Sequence, residues 1–162
     1  MSFNFPQIPL TLEETKFLNY IMEPTNELKV KLDEKIKKLP KNYTIQHFRF
    51  KDETEPDEKK CEKCYKLLEN TYTETDILMS NSKVFKNYVK NKKNIYMLNC
   101  DECLHMHVGI NPESNIIEFG LIEYYIITKS KMIHTYSQYW WISGFVYWPA
   151  NFYNIEIKNF II

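Results

Sequence analysis

Two common residue types are nearly missing from the chain of 162 residues: Arg49 is its one arginine and Ala150 its one alanine. Lysine, asparagine, isoleucine, phenylalanine and tyrosine, which have AT-rich codons, are abundant instead. Such a bias is typical of AT-rich genomes, among them those of some large DNA viruses, protists and firmicute phages. The excess of lysine over arginine therefore predicts no function by itself, and a viral source is compatible with it.

The sequence also lacks a targeting signal and a run long enough to span a membrane. Residues 1–12 have neither the charged n-region nor the apolar core of a signal peptide. The apolar stretches near the C-terminus are interrupted by polar residues before they reach the roughly 18 residues that a spanning helix needs. We therefore expect an intracellular protein, cytoplasmic or nuclear, without a membrane partner, in which cysteines stay reduced.

Neither an excess of charge nor a catalytic motif points to a function. Lys and Arg together number 21, as do Asp and Glu, so no net charge attracts the protein to nucleic acid or anionic lipid. We find no H-E-x-x-H pattern and no deaminase-type H-x-E before the cysteines. We assign no catalytic or organic-cofactor residues, and we expect that the protein is not an enzyme.

Helices joined by polar connections are predicted for the first 93 residues. Thr11 and Glu14 have the spacing of a capping box, and helices are also expected at about 59–71 and after Ser82. Residues 42–51 are rich in β-favouring types and predict a strand. A further helix carries an apolar stripe at intervals of three or four residues. The stripe consists of Leu28, Leu32, Ile36 and Leu39.

From residue 94 onward the pattern predicts strands. Residues 116–128 and 132–148 look like long strands, a last strand runs over 153–161, and turn-forming residues separate them. Short connections between consecutive strands favour an antiparallel meander. We therefore predict one α+β domain over residues 1–162. Its charged, helical N-terminal half (1–93) packs on an antiparallel meander of four or more strands (94–162) that is rich in aromatics.

Four cysteines form two C-x-x-C pairs, Cys61 with Cys64 and Cys100 with Cys103. Two such pairs are a common way to build a tetrahedral thiolate site for a structural zinc ion. The first pair falls on a predicted helix and the second in or at the end of a predicted strand. The spacing therefore predicts a four-cysteine zinc site that ties the helical half to the sheet.

Other interpretations of the cysteines stay open. His105 and His107 alternate with Cys103 on one face of an extended strand, so either histidine could replace a cysteine as ligand. A C-x-x-C pair can instead serve thiol–disulfide exchange, because the motif lowers the pKa of one thiol. The four cysteines could also be small buried hydrophobic residues.

Aromatic residues crowd the C-terminal region, where no lysine or arginine occurs between residues 132 and 157. Trp and Tyr dominate binding hot spots, so Trp140, Trp141, Tyr147 and Trp148 are candidates for a partner-binding surface. The alternative is that all of them lie in the core. The missing cations argue against nucleic acid at this surface.

A second candidate surface is a row of lysines on the helix after Ser82. Lys83, Lys86, Lys90 and Lys93 would share one face of that helix and could contact phosphates; otherwise they form a solvated face.

Together these patterns predict a non-enzymatic, zinc-stabilised protein-interaction module, an accessory subunit or adaptor of a larger and possibly viral complex. A thiol–disulfide oxidoreductase and a nucleic-acid-binding accessory factor that uses the lysine helix are the alternatives.

Overall fold

The structure, a computed structural model, describes residues 10–51, 55–98 and 114–162, with the backbone alone at 114–117. Helices and strands alternate from the first strand onward. In chain order the elements are α1 (Leu12–Ile21), α2 (Asn26–Ile36), β1 (Thr44–Arg49), α3 (Glu58–Thr71), β2 (Ile77–Ser80), α4 (Lys83–Lys90), β3 (Tyr96–Met97), α5 (Ser114–Thr128), β4 (Met132–Ser137), α6 (Gly144–Phe152) and β5 (Glu156–Ile161).

Most of the N-terminal helices begin where side-chain caps are available. Thr11 and Glu14 form the predicted capping box at α1, with the Thr11 N–H donating to Glu14 Oε2 at 2.8 Å. Thr25, Asp57 and Ser82 accept hydrogen bonds from first-turn N–H groups of α2, α3 and α4. These caps satisfy backbone donors that the helices themselves leave without partners.

The strands form a five-stranded sheet in the order β3-β2-β1-β4-β5, and every pair of neighbours is parallel. The chain builds β1, β2 and β3 outward in one direction. It then crosses back through α5 and continues with β4 and β5 on the other side of β1. The predicted antiparallel meander is therefore wrong.

The error arose because a continuous apolar run fits a buried strand and a buried helix equally well. Residues 116–128, predicted as a strand, belong to α5. Residues 132–148, predicted as one strand, divide into β4 and the first half of α6. The antiparallel assignment depended on short connections between consecutive predicted strands, and these are not present where α5 and α6 take up the predicted strand residues.

Both faces of the sheet are covered by helices. One apolar cluster contains Ile45, Ile77 and Ile133 of the sheet and packs against α2, α5 and α6. The second contains Phe48, Leu78 and Tyr136 and packs against α3 and α4. Successive residues of each strand thus serve opposite cores, as the alternation of side chains along a strand requires.

A row of aromatic rings crosses the sheet on the α3–α4 face. Phe48 stacks on Tyr136 with 4.2 Å between centroids, and Tyr136 stacks on Phe160 at 4.9 Å. These residues are partners in the registers of β1 with β4 and of β4 with β5. The stacking therefore joins the three strands at one level of the sheet.

A buried polar network lies next to this row, around Gln46. Its Nε2 donates to Asp76 Oδ2 at 2.7 Å and lies 3.2 Å from His134 Nδ1. Its Oε1 accepts from the hydroxyl groups of Tyr136 at 3.3 Å and Thr71 at 3.4 Å. The network connects β1 to β4, to the end of α3 and to the turn before β2.

The predicted zinc link between a helical half and an antiparallel sheet is also wrong. No antiparallel sheet is present in the described residues, which contain no group of three or more His, Cys, Asp or Glu side chains able to hold a metal ion. The two halves are joined instead by the parallel pairing of β1 with β4. No helix in the described ranges combines the length and apolar character needed to cross a bilayer.

Replacing Ile45 by valine should lower the free energy of unfolding by about 0.5–1.5 kcal/mol, because the side chain is fully buried and loses one methylene group. Urea unfolding measures the change. Val30→Ala, at an exposed position of α2, is the control and should change stability by less than about 0.5 kcal/mol. Equal effects of the two substitutions would contradict the assigned position of β1.

Candidate ligand site at the carboxyl edge of the sheet

All five strands end at the same edge of the sheet, because they are parallel. After β1 the chain turns toward α3 on one face, and after β4 it turns toward α6 on the other. The connections that follow the neighbouring strands β1 and β4 therefore lead to opposite faces of the sheet. In open parallel sheets this reversal of strand order is the position where ligands bind.

Arg49, the last residue of β1, lies beside Ser137, the last residue of β4. The two connections stay joined for a short distance beyond the strands. The Gln138 N–H donates to the Arg49 carbonyl oxygen at 3.1 Å, and the Lys51 N–H donates to Gln138 Oε1 at 2.9 Å. These bonds hold the backbone on both sides of Arg49.

Aromatic side chains follow directly after β4. The rings of Tyr139 and Trp141 stack with 4.6 Å between centroids, and the Arg49 guanidinium carbon lies 6.0 Å from the Tyr139 ring centroid. Trp140 is 64% exposed and meets Trp141 edge to face. Arg49, Tyr139 and Trp141 therefore form a continuous cation and ring stack at this edge.

The amino end of α6 adjoins this stack. Its N-cap residue, Ser143, makes no side-chain capping bond, and the first turn contains no acidic residue. A Cβ added at Gly144 would lie 3.6 Å from the Trp148 ring, an ordinary contact. We call Arg49, Tyr139, Trp141, Ser143 and Gly144 the edge site.

The amino end of α4, at the same edge, is already occupied by a carboxylate. Glu55 accepts a short hydrogen bond from the Ser82 hydroxyl group and lies 3.3 Å from the Lys83 N–H. Helix N-termini attract anions because their first N–H groups lack intrahelical partners. A ligand anion would therefore compete with Glu55 at α4, whereas the first turn of α6 contains no acidic residue.

Three buried polar side chains lie beneath the edge site: His47, Thr135 and Ser137. His47 Nδ1 is 3.0 Å from Thr135 Oγ1, and the Tyr139 N–H donates to Ser137 Oγ at 3.0 Å. Burial, together with the nearby Arg49 charge, lowers the pKa of His47 to about 3. His47 is therefore neutral at physiological pH and acts as a hydrogen-bonding group.

Cys61 and Cys64 lie in the apolar cluster under α3 and α4 as free, buried thiols. Burial raises the pKa of Cys64 to about 11 and also raises the pKa of Cys61. A thiol that stays protonated near neutral pH is a poor nucleophile, so this environment disfavours thiol–disulfide exchange at Cys61 and Cys64. Of the predicted interpretations, this geometry is that of small buried hydrophobic residues.

The rest of the predicted metal site lies outside the described residues. It comprises Cys100, Cys103 and the substitute ligands His105 and His107.

The predicted lysine row is not one solvated helix face. Lys83 and Lys90 are exposed, but Lys86 is 2% exposed and belongs to the interior, while Lys93 is half-buried beyond the end of α4. Phosphate contact by these residues stays a prediction.

The tryptophans are not core residues. Trp140, Trp141 and Trp148 are each exposed by 40% or more, and Tyr147 is half-buried. Because residues 139–148 are a loop and a helix instead of a strand, the two predicted apolar strand faces do not exist. Partner binding by these side chains stays a prediction.

Sequence reasoning missed Arg49, His47, Ser143 and Gly144. The one available signal was that the single arginine lies near the end of a predicted strand, and its significance depends on the order of the strands in the sheet. Ser143 and Gly144 lie within residues 132–148, which the pattern predicts as a strand, so the sequence did not indicate that a helix begins there.

Stability should fall as the pH drops below about 6.5. The unfolded chain binds a proton at His47 with a pKa near 6.5, whereas the folded chain binds it only near 3, so between these values protonation favours unfolding. The expected slope from His47 is at most about 1.4 kcal/mol per pH unit. Burial lowers the pKa of His134 as well, which adds in the same direction.

Urea unfolding at pH 7, 6 and 5 measures this slope. His47→Asn, which can keep a hydrogen bond to Thr135, should give a smaller slope than the natural chain. An unchanged slope in this variant would rule out His47 as the source.

The chain matches no protein-family model and none of the curated proteins with which it was compared. No match therefore supports a viral source, which the composition allowed, and the function must be argued from the edge site itself.

Proposed function

We propose that the protein binds a phosphate-bearing ligand with a planar ring, such as a nucleotide, at the edge site. The observation that carries this proposal is the reversal of strand order between β1 and β4, at which Arg49 meets the aromatic residues that follow β4 and lead into α6. The proposal concerns binding and assigns no reaction.

The anionic part of the ligand is supported by two sources of positive potential. The guanidinium group of Arg49 can pair with phosphate oxygens in a bidentate manner, which a lysine cannot reproduce. The first turn of α6 adds backbone N–H groups that the Ser143 side chain does not cap. The carboxylate of Glu55 makes the start of α4 a poorer alternative.

The planar part of the ligand is supported by the exposed rings beside these groups. Tyr139 and Trp141 already stack on each other, and Trp140 offers a largely exposed indole next to them. Rings of this kind bind nucleobases by stacking, at about 1–3 kcal/mol per base. A ligand that carries both a phosphate and a base would use both parts of the edge site.

Arg49→Met should weaken nucleotide binding about 10- to 100-fold, because a hydrogen bond between charged groups contributes about 1.5–3 kcal/mol. Isothermal titration calorimetry with mono-, di- and triphosphates of adenosine, guanosine and uridine measures this change. Lys16→Met removes a cation from the exposed surface of α1 and should leave the affinity unchanged.

Gly144→Asp tests the α6 end of the site separately from folding. A carboxylate in the first turn stabilises a helix, and a side chain has room at this position. The variant should therefore keep or raise the melting temperature while it weakens nucleotide binding, and Gly144→Ala should affect binding less. Undiminished binding in Arg49→Met and Gly144→Asp, or binding of none of the nucleotides, would refute the proposal.

The exposed tryptophans favour a second candidate, a non-enzymatic interaction module that binds a protein partner. Residues 132–155 contain no charged side chain, and Trp140 and Trp148 are more than half exposed within this stretch. Desolvation of large aromatic side chains without buried charge is typical of binding hot spots. The candidate needs no metal ion.

Acrylamide quenching of tryptophan fluorescence distinguishes the two candidates. If nucleotides bind at the edge site, a saturating nucleotide should protect Trp141 and Trp140 from quenching, and Arg49→Met should abolish that protection at the same concentration. If the tryptophans serve a protein partner alone, no nucleotide should change the quenching.

A further inference from the structure

A second concave surface lies at the opposite edge of the sheet, between the end of α4 and the start of β3. Its cavity has a volume of about 490 Å³, within the range of small-molecule sites. We call it the lysine cavity. Its polar lining is formed by Lys90, Asn91, Lys92, Lys93 and Asn94.

The described lining of this cavity contains three cations and no carboxylate. The carboxylate of Glu62 interacts electrostatically with Lys92, but it forms an ion pair with Lys66, with 3.1 Å between Glu62 Oε1 and Lys66 Nζ. Like charges brought together around a concave surface raise the local potential for an anion. The lining therefore favours an anionic occupant.

Two of the three lysines are held in place by tyrosine rings. Lys92 Nζ lies 4.6 Å from the ring centroid of Tyr88 and 5.6 Å from that of Tyr65. Lys93 Nζ lies 4.4 Å from the ring centroid of Tyr72. A ring face attracts a cation without neutralising its charge, so both ammonium groups keep their positive charge while their positions are restricted.

The backbone of this segment is equally constrained. The N–H groups of Lys92 and Lys93 both donate to the Val89 carbonyl oxygen at 2.9 Å, and the Asn91 N–H donates to the Asn87 carbonyl oxygen at 3.1 Å. Cations near the end of a helix also interact favourably with its dipole. That interaction explains a lysine in the last turn of α4, but it does not require two further lysines beyond the helix around an open cavity.

We propose that the lysine cavity is a second binding site, for the phosphate groups of a ligand, separate from the edge site. The phosphate could belong to a free small molecule or to a single-stranded nucleic acid. The restricted ammonium groups of Lys92 and Lys93 and the exposed ammonium group of Lys90 would contact its oxygens, and the amide groups of Asn91 and Asn94 could add hydrogen bonds.

Tripolyphosphate binding by calorimetry and fluorescence anisotropy of a labelled ten-residue oligothymidylate test the two sources. Lys90→Gln and Lys92→Gln should each weaken binding of the true ligand at least fivefold. Lys83→Gln removes a cation from the exposed first turn of the same helix and should leave the affinity unchanged. For the oligonucleotide, each lost phosphate contact should lower the slope of log affinity against log salt by about 0.7.

Arg49→Met removes the cation of the edge site and therefore serves as the background for these titrations, because the tripolyphosphate binding that remains in this variant reports the lysine cavity. Because Lys90 is exposed, we expect Lys90→Gln to remain folded. Circular dichroism and thermal unfolding check this. Binding of either probe that is lost in Lys90→Gln and Lys92→Gln but kept in Lys83→Gln supports the proposal. Absence of binding by both probes, or an equal loss in Lys83→Gln, overturns it, whatever the outcome at the edge site.

Discussion

The parallel pairing of β1 with β4 is the interaction on which the rest of the structure depends. It joins a strand from the first half of the chain to one nearly ninety positions later, with six paired residues in register. Both faces of this pair are buried, because Ile45 and Ile133 contribute to one core and Phe48 and Tyr136 to the other. Without this pairing, the two layers of helices would not pack on one continuous sheet.

The same pairing determines where a ligand can approach. A chain that adds strands in one direction and then returns to the other side of its first strand must send neighbouring connections to opposite faces. Arg49 and Tyr139, which are distant in sequence, thereby meet at the carboxyl edge of the sheet, where the guanidinium carbon lies 6.0 Å from the ring centroid. The amino edge of the sheet is chemically different. Its cavity is lined by Lys90, Lys92 and Lys93, whereas exposed tryptophan side chains lie at the carboxyl edge.

Features governed by local chemistry were predictable from the sequence. The capping box at Thr11, the cap at Ser82, the apolar stripe of α2 and the strand around residues 44–49 each depend on neighbours a few positions away. The region after residue 114 was not predictable in this way, because its helices and strands are equally apolar and only the tertiary fold distinguishes them. The meander error followed from that ambiguity.

The site was less predictable than the elements. The two C-x-x-C pairs suggested metal binding, yet Cys61 and Cys64 on α3 are buried in an apolar cluster, and Cys100 and Cys103 lie outside the described residues. Arg49 carried no motif at all, and its importance comes from strand order, a property of the whole chain. The exposed tryptophans were recognised as candidates, but a helix start among them could not be seen while that segment was taken for a strand.

The polar network around Gln46 has a consequence for how this protein can change over evolution. A shift of β1 by one residue would turn Gln46 toward the helices on the other face and remove the hydrogen bond that Gln46 donates to Asp76, so the network favours one alignment of the central strands. It does so from within the sheet and from its amino end. The loops at the carboxyl end therefore need not align the strands. They can gain, lose or exchange residues, and so acquire new binding preferences, while the strands keep their alignment.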